Sequence, residues 1–144
     1  MSAFEIPGCS RIFFGPKSYI QTPECQRKIT HILNLTGEEI VCKNVKWIYA
    51  EDDPTFDIMH KVWPFAFEWI TSVLNENTEN VIFIHCNLGI NRSATIAMAL
   101  AVVATKKPVL NLIHEVRMRD RRLILTNDGF IHALLQWQDR LLAI

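Results

Sequence analysis

The sequence has no excess of either charge: fifteen lysines and arginines balance fifteen aspartates and glutamates over 144 residues. No global basic field is available to hold nucleic acid or an anionic membrane, so any anion site must be local. No apolar run approaches the roughly 20 residues of a membrane-spanning helix. The start, "MSAFEIPGCSRIFF", lacks the basic stretch and apolar run of a secretory leader. Ser2 follows Met1, so there is no glycine for myristoylation, and the final "LLAI" has no cysteine for prenylation. Four cysteines, Cys9, Cys25, Cys42 and Cys86, show neither CxxC nor Cys/His metal spacing. Repeats, low-complexity tracts and long linkers are also missing. A soluble protein of a reducing compartment is expected, cytoplasmic, with free thiols and no bound metal or cofactor.

Hydrophobic residues make up 49% of the chain, enough for a folded core and too many for disorder. The length suits one domain over residues 1–144. "SRIFFG" predicts a strand ended by Gly15-Pro16. "TPECQRKI" predicts a short helix, with Thr22 as N-cap and Pro23 at its first position. Strands are predicted from His31 to Leu35 and from Val45 to Tyr49. After the polar turn "EDDPTFD", apolar residues from Phe56 to Leu74 recur at helical spacing. "VIFIH" is a continuous apolar run, as a central strand covered on both faces requires. "SATIAMALAVVAT" is apolar nearly all round and predicts a buried helix. An amphipathic helix in "KKPVLNLIHEVRMRD" and a last helix in "LTNDGFIHALLQWQDRLLAI" complete the pattern. The expected fold is α/β: a central mixed, mostly parallel sheet of about four to five strands, flanked by helices on both faces.

Chemistry concentrates in "HCNLGINRS", His85 to Ser93. A strand ends at His85 and a helix begins seven residues later. A helix start presents unpaired N–H groups and positive partial charge, which suits an anion and phosphate above all. Gly89 lets the loop curl so that several N–H groups point inward. Arg92 adds a planar fork for two phosphate oxygens. The same groups favour the thiolate of Cys86, so one loop can activate a nucleophile and hold the group it attacks. Other loops of this kind fail on detail. A Walker A loop needs a lysine, a papain-like protease needs a different local signature, and a zinc site needs more Cys or His nearby.

These residues carry a resemblance. "HCNLGINRS" fits the H-C-x5-R-S/T signature of cysteine-dependent phosphatases and is most similar to the small dual-specificity phosphatases. "ITHILNL" resembles an early strand of that family, "NVKWIYAEDDPTFDI" its general-acid segment, and "LTNDGFIHALLQWQDRL" its closing block. Four blocks stand in the family's order. A low-molecular-weight tyrosine phosphatase carries its loop near the N-terminus, whereas here the loop follows residue 80. The resemblance implies a cysteine-phosphatase fold and metal-free hydrolysis of phosphomonoesters. It implies that Cys86 is the nucleophile and forms a phosphocysteine, and that Arg92 clamps the phosphoryl group. Ser93 steadies the departing thiolate, His85 shapes the loop, and the N–H groups of Asn87, Leu88, Gly89, Ile90, Asn91 and Arg92 cradle the oxygens. The general acid falls at Asp52, four residues before Phe56, while Asp53, preceding Pro54, better suits a turn. Thr95 stands where many members have proline. The family's supporting arginine fits Arg121 counted from Asn127, and Arg117 or Arg119 counted from Val116.

Plainer readings stand beside these. A lone cysteine at a strand end is commonly a buried apolar residue; here His, Gly, Arg and Ser at fixed offsets argue otherwise. Asp52 as simple turn chemistry is a genuine rival. Asn127 reads as a turn residue before the last helix. Trp63, Phe67 and Trp69 read as core, and Arg117, Arg119, Arg121 and Arg122 as a charged face. Cys9, Cys25 and Cys42 read as structural. The loop positions Asn87, Leu88, Ile90 and Asn91 are uncharged, whereas family members acting on inositol phospholipids often carry lysines there. A phosphoprotein substrate is therefore expected, with no nucleic acid or membrane partner. Rival expectations are a phosphoinositide, glucan or RNA 5′-end phosphatase, and a phosphate-binding module without turnover. Substrate identity and oligomeric state are not written in the sequence.

Overall fold

A computed structural model of the chain describes residues 2–142. Met1, Ala143 and Ile144 lie outside the described residues, so the last helix, expected to run toward Ile144, is followed to Leu142. Five strands form one sheet in the order β1-β2-β5-β3-β4. They span Phe4–Ile6 (β1), Cys9–Pro16 (β2), His31–Asn34 (β3), Val45–Trp47 (β4) and Ile82–Cys86 (β5). β1 pairs antiparallel with β2, and the other neighbours are parallel, so the sheet is mixed and mostly parallel as expected.

Burial explains the central place of β5. All five of its residues are buried, which only a strand covered on both faces allows. One face carries the main core, built from Ile82, Ile84, Leu33 and Phe14 with the helices α2 (Ile58–Lys61), α3 (Trp63–Glu76), α4 (Arg92–Thr105), α5 (Val109–Asp120) and α6 (Asp128–Leu142). The other face is thinner. There Phe13, Tyr19, Cys25 and Phe83 pack beneath a 3₁₀ turn over Lys17–Gln21 and the short helix α1 (Pro23–Lys28). α4 is buried from Ser93 to Val102, matching its apolar circumference.

Local chemistry sets the ends. Thr22 caps α1 by accepting the Cys25 N–H at 3.2 Å, with Pro23 at the first helical position. Arg11 donates to the carbonyls of Leu74 and Asn80, at 3.3 and 2.9 Å, and so closes the C-terminal end of α3.

Three expectations need correction. The Phe56–Leu74 segment is not one helix. Phe56 lies in the preceding turn, helix starts at Ile58, and it breaks at Val62 before α3 begins at Trp63. Pro64 is the cause, since it lacks an N–H and clashes with the preceding turn. The strand predicted to reach Tyr49 ends at Trp47, although Ile48 and Ala50 still donate to the Asn34 and Leu35 carbonyls of the neighbouring chain segment. In the aromatic set, Trp63 is core, but Phe67 is 37% exposed and Trp69 only half-buried.

Candidate active site

The parallel register brings the ends of three strands together. Pro16 lies opposite Cys86, and Asn34 opposite His85. The chain leaves β5 at Cys86, turns through residues 87–91 and enters α4 at Arg92. Gly89 has φ +71°, and a Cβ there would lie 2.5 Å from the Pro16 nitrogen and 2.8 Å from the Gly15 Cα. Both the backbone angle and the close approach of β2 therefore exclude a side chain.

The loop's carbonyls are held from outside. The Asn87 oxygen accepts the Lys17 N–H at 3.1 Å, and the Ile90 oxygen accepts the Leu125 N–H at 2.8 Å. The Leu88 oxygen accepts from the Arg122 guanidinium at 2.5 Å. In a planar trans peptide the carbonyl and the following N–H point opposite ways. Anchoring three carbonyls outward thus turns the N–H groups of Leu88, Gly89 and Asn91 inward. At the start of α4 the N-cap residue Asn91 makes no side-chain cap, which leaves the first N–H groups to the Cys86 sulfur and to an anion.

Cys86, 3% exposed, sits at the floor. Its Sγ is 3.3 Å from the Ser93 hydroxyl and accepts the Ser93 N–H at 3.5 Å. Arg92 donates from one terminal nitrogen to the Ala50 carbonyl at 3.1 Å, while its buried Nε has no partner among the described residues. His85 is fully buried, with Nδ1 3.4 Å from the Cys86 carbonyl. Burial lowers its pKa to about 4, Lys17 and Arg92 add to that, and the Cys86 carbonyl opposes it. The ring is neutral at pH 7 and supports the loop. Thr95 makes use of the N–H that a proline would lack. Its N–H and its hydroxyl both donate to the Asn91 carbonyl, at 2.9 and 2.7 Å.

The two aspartates separate cleanly. Asp52, exposed, lines a cleft of about 330 Å³ together with Cys86, Asn87, Leu88, Ile90, Asn91, Arg92 and Thr126. Asp53 accepts the Thr55 N–H at 2.8 Å and the Thr55 hydroxyl at 2.7 Å. That turn holds the Asp53 carboxyl below its ordinary pKa, with the Thr55 bonds as the cause, and Asp53 does not line the cleft. Asp52 thus shares the cleft with Cys86 and Arg92, while the Asp53 carboxyl is taken up by the turn.

Several residues make side-chain bonds that the sequence did not announce. Arg117 donates to the Ile124 and Leu125 carbonyls, each at 2.9 Å, and Leu125 in turn supports Ile90. Of the two arginines counted from Val116, Arg117 makes these bonds, while Arg119 donates to the Glu5 carbonyl at 2.6 Å. Asn127 caps α6 through its Oδ1, which accepts the Phe130 N–H at 3.1 Å, and its amide donates to Asp52 at 2.9 Å. Asn91 donates to Asp52 at 3.0 Å. These partners lie 75 and 39 residues apart in the chain, so no local pattern announces them. Away from the site, burial raises the Cys9 and Cys25 thiols to about 11, which keeps them protonated and inert. A larger hollow of about 420 Å³ beside α1, lined by Ile20, Ile29 and Ile32 among others, lies apart from Cys86.

Comparison with known proteins agrees with this geometry. The family model described as "Dual specificity phosphatase, catalytic domain" matches residues 12–140. The chain belongs to this family. It is 31% identical over 127 residues to dual specificity protein phosphatase 13B of Mus musculus, covering 81% of this chain and 62% of that protein. It is 34% identical over 118 residues to dual specificity protein phosphatase 5 of Rattus norvegicus, covering 79% of this chain and 30% of that one. The chain thus spans less than two thirds of these relatives. The crystal structure of the human tyrosine phosphatase-like serine/threonine/tyrosine-interacting protein superposes with a TM-score of 0.80, 24% identity and 97% coverage of both chains. That likeness shows a shared fold. The dual-specificity phosphatase family also accounts for the mixed five-stranded sheet and its flanking helices.

Proposed function

We propose that the protein is an active dual-specificity phosphatase that removes phosphate from tyrosine and from serine or threonine in phosphoproteins. One observation carries the reading. The buried thiol of Cys86, Arg92 and the Asp52 carboxyl line a single cleft, and the Ser93 hydroxyl lies 3.3 Å behind the thiol. In the first step the Cys86 thiolate attacks phosphorus, the bond to the leaving oxygen breaks, and Asp52 gives that oxygen a proton. The inward N–H groups and Arg92 bind the three equatorial oxygens, whose charge grows in the transition state. In the second step water attacks the phosphocysteine, Asp52 takes its proton, and the P–S bond breaks. Ser93 donates to the sulfur as it leaves, and inorganic phosphate is released.

The uncharged loop side chains support a protein substrate, because they offer nothing to additional phosphates. A thiol of this kind must stay reduced to act, which suits a reducing compartment such as the cytoplasm and a part in signalling. The test is steady-state hydrolysis of an aryl phosphate in EDTA, followed by a panel of phosphotyrosine and phosphothreonine peptides. Wild type should turn over. Cys86→Ser should be inactive, and Asp52→Asn should lose about 10²–10⁴ in rate. Tight phosphopeptide binding without turnover by the wild type would make the protein a binding module instead.

A further inference from the structure

Asn91 is half-buried where three segments of chain meet. Its backbone belongs to the phosphate-binding loop. Its Oδ1 accepts the N–H groups of Thr126 and Asn127 at 2.8 and 3.0 Å, on the segment between α5 and α6. Its Nδ2 donates to Oδ2 of Asp52 at 3.0 Å, and also to the Thr126 hydroxyl at 3.3 Å. Two N–H donors to one oxygen fix which end of the amide faces which neighbour. The nitrogen has no choice but to face the carboxylate.

Asp52 lies on an exposed turn and has two free side-chain torsions. Left alone, its carboxyl would sample several directions, and only some would reach the leaving oxygen. Asn127 holds Oδ1 of Asp52 at 2.9 Å, but Asn127 belongs to the start of α6 rather than to the phosphate loop. Asn91 is the residue that ties the carboxyl directly to the loop that binds phosphorus. We propose that Asn91 is a positioning residue for catalysis, acting through Asp52 by fixing the acid's carboxyl relative to the bound phosphoryl group. The proposal rests on the assignment of Asp52 as the acid.

Proton donation is needed most when the departing oxygen is basic. Phenyl phosphate depends on it, and a fluorinated aryl phosphate with a weakly basic leaving group depends on it far less. The readout is therefore the ratio of kcat/KM on phenyl phosphate to kcat/KM on the activated ester, which covers only the step that expels the leaving oxygen, because both esters give the same phosphocysteine. General damage to the loop lowers both rates together and leaves the ratio alone. Asn91→Ala is expected to lower the ratio about tenfold, in line with the cost of slight misplacement of a catalytic group. Asp52→Asn should lower it further, and adding Asn91→Ala to Asp52→Asn should lower it no more, because the amide then has no acid to position. If Asn91→Ala does not fold, Asn91→Ser replaces it, keeping a polar acceptor too short to bridge to Asp52. A ratio that falls in Asp52→Asn but stays at the wild-type value in the Asn91 variant overturns the proposal and leaves the acid in place. A ratio unmoved in Asp52→Asn overturns the acid assignment, and the positioning role with it.

Discussion

Gly89 shows how much of the catalytic loop one residue carries. Its positive φ turns the chain, and its missing Cβ lets the loop lie against the Gly15-Pro16 backbone at the end of β2. A methyl group there meets backbone, which cannot rotate aside as a side chain can. Gly89→Ala should therefore cost about 2 kcal/mol or more in stability, and it should lower kcat by about 10²-fold, as loss of an oxyanion donor does. Urea unfolding and turnover of an aryl phosphate read the two effects; a variant with wild-type kcat would show that the loop does not need this curl. Gly89, Cys86, Arg92 and Ser93 are all legible in the sequence, because their spacing is local and the chemistry of the loop requires it. Asn91 and Asn127 are legible only as loop and turn residues. Their bonds to Asp52 depend on how distant segments meet, and that is a property of the packed fold.

At the scale of elements, the turn that carries Asp52, the proposed acid, is clamped from three sides. Arg92 holds the Ala50 carbonyl, Asn91 and Asn127 hold Asp52, and the first turn of α6 presses on Pro54. The last contact is tight: a Cβ on Gly129 would lie 2.6 Å from the Pro54 Cα. Gly129→Ala sets two effects against each other. Alanine improves helix propensity by about 0.8–1.0 kcal/mol at an unhindered site. The collision with Pro54 must move either α6 or the acid turn, and α6 is fixed by buried Phe130 and Leu134. The turn should yield. We expect kcat on phenyl phosphate to fall roughly tenfold or more, with KM changed much less. Unchanged kcat would mean that α6 moves instead. Periodicity reveals most helices here, and α1 follows from Thr22-Pro23 alone. It does not reveal the break at Val62, because Met59, Val62 and Trp63 all stay buried on either side of it. β1, three residues long, is too short to show a pattern and exists only by pairing with β2.

The molecule as a whole places its reactive loop over an uneven sheet. Cys86 follows Ile82 and Ile84 on the well-covered face, while His85 follows Phe83 toward the thin one and stacks on it at 6.1 Å. Thin cover still excludes water, since His85 has no exposed surface. Global stability should therefore depend on this ring's charge. Its pKa is lowered from the ordinary 6.5 to about 4 in the folded state. A depressed folded pKa means that the unfolded chain takes up the proton more readily. The stabilisation is complete above about pH 6.5 and is lost as pH falls toward 4, by an amount on the order of 3 kcal/mol. The carboxyls of Glu38 and Asp53 are also lowered, by Lys17 and Thr55 respectively. Their contributions, however, fade only below the ordinary carboxyl range of about 4. The interval between pH 4.5 and 6.5 therefore isolates the histidine. Urea midpoints measured across it should fall steadily for the wild type and stay nearly level for His85→Asn, which cannot charge. Parallel curves for the two proteins would show that His85 is protonated as easily in the fold as outside it, and that the thin face admits water after all.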